Sequence, residues 1–282
     1  KKEIPPLILV NRAGGYLYST TDVATIWYRS EQLGADLALY VVDARQADHF
    51  TQVFRAARRA SVAGNMQMEH IAFGTMNGPD GKPFKTREGG VVSLRDLIEM
   101  VEKAAMARLD EAQIATDYPP EERQRIAHQV GIAALKFGDL HANRTSDYVF
   151  DLDRFSSFEG KTGPYLQYAA VRIRSLLRKA QERDLAEGAV LPPQVEAERN
   201  LVLELLQFPE AVWRAVDTRC PHHLAEYAYG LAGVFNRFYD ACHVLSEPDA
   251  DRQASWLTLC RLTLDTLVRS LYLLGIEVPE RM

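Results

Sequence analysis

The spacing of hydrophobic residues changes along this chain of 282 residues, and the change divides it into two regions. Up to about residue 117, short apolar runs alternate with stretches that repeat at helical spacing. Such alternation is typical of an α/β fold with a parallel sheet. The predicted strands are 7–10, 16–19, 37–42 and 69–73, and the predicted helices are 20–33, 47–63 and 94–115.

Two local patterns in this first region refine the prediction. Thr20 or Thr21, together with Asp22, has the side chains expected at a helix start, so we expect a cap there. The run 37–42 is apolar at every position, which predicts a strand buried on both faces. Ligands of parallel α/β proteins bind where the strands end. The polar segments that follow predicted strands are 19–22, 43–49 and 74–87.

The second region begins at Tyr118-Pro119-Pro120, where the strand signals stop. From there to residue 282, hydrophobic residues recur at helical spacing and are separated by loops that contain Gly, Pro or Asp. This pattern predicts an all-α bundle over 118–282, after an α/β domain over 1–117. The predicted helices are 121–137, 163–183, 193–206, 222–245 and 254–274.

Composition narrows the class of protein. Hydrophobic residues make up 47% and charged residues 25%, the proportions of an ordinary globular protein. No apolar run approaches the roughly 18 residues of a membrane span, so we expect no membrane partner. Cys220, Cys242 and Cys260 show no CxxC spacing. Buried, reduced thiols are expected, which fits a cytoplasmic protein.

Charge argues against a generally basic nucleic-acid-binding protein. The net charge is −5, and acidic residues outnumber basic ones on both sides of Tyr118. Any contact with RNA must therefore come from a local patch of cations. The chain also begins abruptly, because Lys1-Lys2-Glu3 leads into a predicted strand with neither a signal sequence nor a helix start. We expect that it starts within a longer protein.

The loop over 78–90 is the most informative stretch of the first region. It is rich in glycine and carries Lys82, Lys85, Thr86 and Arg87 just beyond a predicted strand. Cations on such a loop can close over a polyphosphate and neutralise charge on the leaving group. A solvated turn, charged only for solubility, is the alternative that composition leaves open.

Tyr18 and Asp22 form a second candidate site. They lie four residues apart, so both side chains point to the same side if the chain is helical there. A carboxylate can bind a guanidinium at two points while an aromatic ring stacks on its plane. Gln46 and His49, after the next strand, add hydrogen-bonding groups. A helix cap at Asp22 and a core position for Tyr18 are the alternatives.

The helix that begins at residue 163 is the third candidate. Its apolar stripe comprises Leu166, Ala169, Ala170, Ile173, Leu176 and Leu177. Tyr165, Tyr168 and Arg172 are expected on another face, with further cations up to Arg183. Tyrosines beside arginines suit single-stranded RNA, because bases stack on the rings while cations hold phosphates. A packed tyrosine pair with a solvated basic edge is the alternative.

Several strings of residues resemble arginyl-tRNA synthetases of the bacterial type. GKPFKTR at 81–87, followed by Gly89-Gly90, is similar to that family's variant of the class I KMSKS loop. The resemblance covers essentially the whole chain. The other strings are GGYLYSTTDVA at 14–24, YVVDARQADHF at 40–50, HIAFGT at 70–75, GPYLQYA at 163–169 and VPERM at 278–282.

The resemblance implies the second half of a Rossmann-type class I catalytic domain, followed by a helical anticodon-binding domain. It implies an enzyme that joins arginine to tRNA(Arg) through an arginyl-adenylate, using ATP with Mg²⁺ and no metal bound by the protein itself. The parent protein is expected to be monomeric. The implied residues are Tyr18, Asp22 and Gln46 for arginine; His49, Lys82, Lys85 and Arg87 for ATP; Lys85, Thr86 and Arg87 for catalysis; and Tyr165, Tyr168, Arg172, Tyr239 and Met282 for tRNA, with the turn 157–161 facing RNA.

One departure from the family pattern concerns activity. No HxGH-like string occurs among the seven histidines, so the HIGH motif is absent, as is the family's N-terminal tRNA-binding domain. We therefore expect a fragment that does not activate arginine alone. Two alternatives stay open from the sequence: a tRNA- or RNA-binding module without ligase activity, and another α/β nucleotide-binding protein whose helical half supports dimerisation.

Overall fold

The computed structural model of the chain describes residues 4–78, 81–82 and 92–282. The chain divides into two units, each with its own core. The first, termed the α/β unit, comprises Lys1–Thr75 and Thr145–Asp147. The second, termed the helical unit, comprises Met76–Arg144 and Tyr148–Met282.

The α/β unit is built around two parallel strands, as the hydrophobic pattern predicts. Its elements are α1 (Tyr18–Trp27), a π-helical turn (Tyr28–Gln32), β1 (Leu37–Asp43), a 3₁₀ turn (Ala44–Gln46), α2 (Ala47–Arg59) and β2 (Gln67–Phe73). The strands pair in register from Leu37 opposite Gln67 to Asp43 opposite Phe73. Ile26, Ala38, Val53 and Met66 form the core between helices and strands.

The expectation that both faces of β1 are buried is wrong for the described chain. Ala38 is buried, but Leu39 and Val41 are 45% and 64% exposed. The core contacts of this unit involve the face of β1 that carries Ala38 and Tyr40. The face of β1 that carries Leu39 and Val41 is therefore apolar, but the described residues of this unit leave it exposed.

The segment before α1 also differs from the prediction. Instead of two strands, one antiparallel bridge joins Val10 to Tyr16. The turn between them is held by Asn11, whose Oδ1 accepts hydrogen bonds from the amides of Ala13 and Gly15, each at 2.9 Å. An Asn side chain that bonds to the backbone ahead of it favours such a turn over a continued strand.

The start of α1 is not capped by the residues that we predicted. Leu17 occupies the cap position and provides no side-chain hydrogen bond to the helix. Ser19 and Thr20 donate instead to the carbonyls of Ile8 and Leu9. Their hydroxyls therefore fix the incoming segment against the first turn of α1. This arrangement leaves the carboxylate of Asp22 available for another partner.

From residue 118 onwards the helical unit is mainly helical, as the sequence predicts for that region. Its helices are α3 (Leu94–Glu111), α4 (Pro120–Leu140), α5 (Leu152–Phe155), α6 (Gly163–Gln181), α7 (Glu196–Leu206), α8 (Phe208–Thr218), α9 (His222–Ala241) and α10 (Ala250–Leu273), with a 3₁₀ turn at Val244–Ser246. Two short parallel strands, β3 (Met76–Asn77) and β4 (Tyr148–Val149), pair beside them. Helix α8 was not predicted from the sequence. Pro209 stands in its first turn, where proline is tolerated.

Helix α6 lies at the centre of this unit. All six residues of its predicted apolar stripe are buried. A buried ion pair joins two other helices of the core, because Glu198 of α7 accepts a hydrogen bond from Arg252 of α10 at 3.0 Å. Their side chains are 1% and 8% exposed. Further bonds to Gln194 and Pro192 satisfy the remaining polar atoms of the pair in part.

Two cysteines of the helical unit are buried, and all three are free thiols. Burial raises the pKa of Cys242 to about 11 and that of Cys260 to about 12. Both thiols therefore stay protonated and unreactive at neutral pH. Cys220 is only partly buried. Among the described residues, no helix is long and apolar enough to cross a membrane.

Helices α4 and α6 approach each other closely at a glycine. A Cβ atom added to Gly163 would lie 2.2 Å from the carbonyl oxygen of Ala133, a backbone atom. No rotamer change can relieve such a contact, so the two helices would have to separate.

We predict that Gly163→Ala lowers the free energy of unfolding of the helical unit by about 2 kcal/mol, because it overpacks this crossing. Chemical denaturation followed by circular dichroism would measure the change. Gly233→Ala is the matched control, since its added methyl group meets only Arg237 at 3.9 Å. That substitution is expected to be neutral or stabilising. Equal stability of the two variants would contradict the proposed packing constraint.

Candidate functional site

The carboxylate of Asp22 is the centre of a small cluster in the α/β unit. His49 Nε2 donates a hydrogen bond to Asp22 Oδ2 at 2.7 Å. The ring of Tyr18 stacks on the imidazole at 5.6 Å between centroids, with 30° between the planes. Tyr18, Asp22 and His49 are termed the Asp22 cluster. It places a negative charge beside two aromatic rings.

Two helix starts position this cluster. Tyr18 and Asp22 lie in the first turns of α1, one helical turn apart. His49 lies in the first turn of α2, which β1 reaches through the 3₁₀ turn Ala44–Gln46. The cluster is therefore anchored to the carboxyl end of a parallel strand, where ligands of α/β proteins bind. The cluster falls within 19–22 and 43–49, two of the polar segments at which the sequence analysis expects ligands to bind, with Tyr18 directly before the first.

Behind the cluster, a chain of aromatic rings leads into the core. His49 meets the buried ring of Phe50 edge to face at 5.4 Å, and Phe50 stacks on His70 at 5.0 Å. His70 is itself fixed by a 3.0 Å hydrogen bond between its Nε2 and the carbonyl of Val42. Tyr40 packs against the other side of Phe50. These contacts restrict the rotation of His49 and hence the position of its bond to Asp22.

The geometry suits a cationic ligand. The Asp22 side chain is 19% exposed, so its carboxylate is partly desolvated yet can be reached from solvent. Within the described chain, His49 is the side-chain hydrogen-bond partner of Asp22. Each carboxylate oxygen accepts two hydrogen bonds, so a guanidinium can join His49 at the same carboxylate. Tyr18, which is 69% exposed, offers a ring face for stacking.

A second cluster of charges lies at the end of β1. Asp43 accepts two hydrogen bonds from the Arg45 guanidinium, at 2.9 and 2.7 Å, and a third from its backbone amide. These bonds, led by the side-chain contact, hold the pKa of Asp43 at about 2. Nearby, the backbone amide and hydroxyl of Thr75 bond to Asp147 and lower its pKa. Two carboxylates, each held by hydrogen bonds, therefore lie near the carboxyl end of β1.

We predict that Asp43 titrates with a midpoint near pH 2 and that Arg45→Gln moves this pKa up towards the ordinary value of about 3.9. A carboxyl group whose pKa is depressed stabilises the fold above its unfolded pKa, and this contribution is lost as the pH falls through the native pKa. Carbon-detected NMR of the side-chain carboxyl group measures the midpoint directly.

A midpoint of Asp43 near 4 in the unsubstituted protein would contradict the charge assignment at this strand end.

The remaining residues predicted for the small-molecule site are only partly described. Gln46 is exposed at the end of the 3₁₀ turn, directly before α2. Lys82 is exposed. Lys85, Thr86 and Arg87 lie outside the described residues, so the polyphosphate loop stays a prediction from sequence. No group of three or more metal-ligating side chains that could hold a metal ion occurs in the described ranges.

A separate aromatic surface occurs in the helical unit. Tyr165 of α6 accepts a 2.9 Å hydrogen bond from Asn236 of α9 and packs against Tyr229, with 5.7 Å between ring centroids. Along the same two helices, the guanidinium of Arg172 lies 4.4 Å above the ring of Tyr239. These five residues are termed the α6–α9 surface. Burial raises the pKa of Tyr165, so its hydroxyl remains a neutral hydrogen-bonding group.

Tyr168, although only three residues from Tyr165, has different neighbours. It is 43% exposed and lies 6.3 Å from the ring of Phe158. Phe158 belongs to the turn 157–161 and packs in the same apolar cluster as Met282 and Tyr118. The face that was expected to hold Tyr165, Tyr168 and Arg172 together is therefore divided. Tyr165 and Arg172 meet α9, whereas Tyr168 meets the cluster that contains Met282.

The sequence analysis missed Tyr229 and Asn236. Both lie on the face of α9 that meets α6, and they are seven residues apart, the spacing that returns a helix to the same side. The spacing alone does not identify them, because the sequence does not show that α9 packs against α6. Lys161 was included in the turn 157–161, and its ammonium group lies 5.9 Å from the ring of Tyr229 and 3.2 Å from Glu226.

Family comparisons match both parts of the chain. Residues 2–152 match the model "tRNA synthetases class I (R), catalytic domain". Residues 166–282 match the "DALR anticodon binding domain". A relative from Maricaulis maris called arginine–tRNA ligase is 52% identical over 282 residues, which are 100% of this chain and 48% of that protein. A relative of the same name from Alkaliphilus oremlandii is 47% identical over 281 residues, 99% of this chain and 47% of the relative.

Solved structures agree with these matches. The arginyl-tRNA synthetase of Thermus thermophilus superposes with a TM-score of 0.81 at 28% identity, covering 98% of this chain and 51% of that one. The arginyl-tRNA synthetase of Plasmodium falciparum gives 0.79 at 29% identity, covering 97% and 46%. The chain thus spans about half the length of the curated relatives that it matches.

Proposed function

Because this chain belongs to the class I arginyl-tRNA synthetase family, we propose that it forms part of a ligase that joins arginine to tRNA(Arg). In the first step, the carboxylate of arginine attacks the α-phosphorus of ATP and releases pyrophosphate, giving arginyl-adenylate. In the second step, a ribose hydroxyl of the terminal adenosine attacks the activated carbonyl and releases AMP. Arginine, ATP with its Mg²⁺, and tRNA(Arg) are the proposed partners.

The observation that carries this proposal is the carboxylate of Asp22 beside the ring of Tyr18. Asp22 binds the guanidinium of arginine, and Tyr18 stacks on it. A planar, always charged guanidinium gains from both contacts, whereas an ammonium group gains chiefly from the charge. Gln46, exposed after β1, hydrogen-bonds to the amino-acid part of the substrate.

His49 has a role different from the one that family resemblance suggests. The resemblance assigns it to ATP, but its 2.7 Å bond to Asp22 favours a role in the arginine site. A carboxylate that is already fixed by one donor loses less entropy when a ligand binds to it. We therefore assign His49 as a positioning residue for Asp22.

ATP binding rests on sequence rather than on described geometry. Lys82, Lys85 and Arg87 hold the triphosphate, with Thr86 beside them, on the loop that resembles the KMSKS motif. Magnesium, which would bind as part of the ATP substrate, would neutralise charge on the phosphates. The protein residues orient the α-phosphate towards the carboxylate of arginine and stabilise the charge on the departing pyrophosphate.

The helical unit binds the anticodon stem and loop in this proposal. Tyr165, Tyr229 and Tyr239 give ring faces for stacking, and Arg172 provides positive charge beside them. Base–aromatic stacking and phosphate contacts are the usual basis of single-stranded RNA recognition. Tyr168 and Met282 contact RNA next to the turn 157–161.

We predict that Asp22→Asn raises the KM for arginine about 100-fold, because it removes the charge that the guanidinium needs. The KM for ATP is expected to stay within about twofold. Pyrophosphate exchange by the full-length protein, with tRNA present, measures both constants. An unchanged KM for arginine would show that Asp22 has no part in the amino-acid site.

Two further variants sharpen this experiment. Asp36→Asn removes the same charge at the opposite end of β1, where the side chain is exposed, and is expected to leave both constants unchanged. His49→Gln distinguishes the two roles of the imidazole. A rise in the KM for arginine alone would support the positioning of Asp22 by His49. A rise in the KM for ATP alone would instead support a contact between His49 and the nucleotide.

We predict that Arg172→Gln weakens tRNA binding about fivefold at moderate salt and reduces the salt dependence of binding by about one ion, because one phosphate contact is lost. Fluorescence anisotropy with a labelled tRNA(Arg) transcript measures both effects. Arg269→Gln on α10 removes an equal charge from an exposed position and serves as the control. Equal affinities of the two variants would remove Arg172 from the RNA site.

A further inference from the structure

Residues 275–282 form an extended strap that lies across α4 and α6 in the helical unit. Its backbone carbonyls are bound by side chains from both helices. Gln167, fully buried on α6, donates to the carbonyl of Glu277 at 2.6 Å. Arg174, also on α6, donates to the carbonyls of Val278 and Pro279. Lys136 of α4 donates to the carbonyl of Gly275.

The last part of the strap is held differently, by an ion pair with α4. Arg281 donates from Nε and Nη2 to the two carboxylate oxygens of Glu122, at 2.9 and 2.7 Å. The same guanidinium lies 4.2 Å above the ring of Tyr118. Arg281 is thus fixed on its edge by Glu122 and on its face by Tyr118. Beyond it, Met282 packs against the same buried apolar cluster as Tyr118 and Phe158.

These contacts hold Met282 near Phe158 and the candidate RNA-binding residue Tyr168. Phe158 and Met282 pack against the same buried apolar cluster, and the ring of Phe158 lies 6.3 Å from the exposed ring of Tyr168. A thioether adapts to irregular apolar surfaces and contacts aromatic rings favourably. Phe158 thus links the cluster on which Met282 packs to the exposed ring of Tyr168, where a nucleobase can stack.

We propose that Glu122 and Arg281 form a latch that positions Met282 for RNA binding, an inference that rests on the function proposed above. Both are positioning residues, and neither contacts RNA. The guanidinium of Arg281 is neutralised by Glu122 and covered by Tyr118, so it has little charge to offer a phosphate. The latch acts on the local order of residues 281 and 282.

The energetics separate this role from a purely structural one. The Arg281 side chain is 51% exposed, and ion pairs at exposed sites contribute little to global stability. The hydrogen bonds from the buried Gln167 and the partly buried Arg174 keep the rest of the strap in place without the latch. The hydrogen bonds from Arg281 lower the pKa of Glu122, and Glu122 raises the pKa of Arg281. Both partners therefore remain charged at neutral pH.

The decisive variant is Glu122→Gln, because the latch predicts a change in tRNA affinity opposite to the one expected from charge alone. Removing a negative charge ordinarily strengthens binding to RNA, since it lowers electrostatic repulsion. The latch predicts the reverse, a tRNA affinity about tenfold weaker, because Met282 is released. Glu121→Gln removes the same charge from the exposed neighbouring position and is expected to bind as tightly as the unsubstituted protein or more tightly.

A double-mutant cycle tests whether Glu122 and Arg281 act together. Arg281→Gln and the double variant E122Q/R281Q are each expected to lose the same factor of about ten as Glu122→Gln alone. Arg281→Lys keeps the charge but not the two-point contact, so it is expected to lose part of that factor. In the full-length protein, the Kd for labelled tRNA(Arg) and the KM for tRNA are expected to rise together in these variants, while kcat at saturating tRNA stays unchanged.

Methyl NMR of ¹³C-methionine-labelled protein gives an independent readout. The Met282 methyl resonance is expected to move towards its random-coil position in the latch variants, while Met106 in the same cluster keeps its shift and the melting temperature is unchanged. If Glu122→Gln binds RNA as tightly as Glu121→Gln, or if only Arg281→Gln weakens binding, the latch is overturned and the proposed function stands. An unsubstituted protein without affinity for tRNA would overturn both.

Discussion

The hydrogen bond between His49 and Asp22 is the interaction on which the α/β unit's chemistry depends. It joins the first turns of α1 and α2, two helices that begin 29 residues apart in the sequence, and it fixes the one carboxylate to which we assign substrate recognition. Nothing in α1 itself holds this carboxylate, because Ser19 and Thr20 direct their hydroxyls to the preceding segment. The aromatic chain behind His49 extends that constraint into the core, so that packing around Phe50 bears on the position of a charge at the surface.

The long elements could be predicted from sequence because their hydrophobic spacing reflects burial. β1, β2 and the long helices of the second region follow from that spacing, and the stripe of α6 is buried at every predicted position. The errors arise where side chains compete with regular structure. The strands predicted at 7–10 and 16–19 are reduced to a single bridge on either side of the Asn11 turn, and helix α8 was not predicted at all. Such outcomes depend on local hydrogen bonds that periodicity does not register.

In the candidate sites, too, the sequence could not predict contacts between side chains on different helices. Tyr18 and Asp22 could be paired from their spacing of four residues, because one helix carries both. The partnership of Asp22 with His49, and that of Tyr165 with Asn236, join separate helices, and only tertiary packing decides them. Family resemblance pointed to Asp22, His49 and Tyr165, but it did not give the contacts that these residues make, and it did not point to Asn236. The division between Tyr165 and Tyr168, three positions apart on α6, likewise depends on which helix or turn meets each ring.

The buried pair of Glu198 and Arg252 has an evolutionary consequence. Substitution of either residue alone leaves an uncompensated charge in the interior, at a penalty of about 3–5 kcal/mol, whereas replacing both with apolar residues of similar volume is often neutral. A lineage can therefore leave this arrangement only through a destabilised intermediate or by two changes at once. The two positions are expected to be inherited as one character, so descendants of this chain should carry both charges or neither.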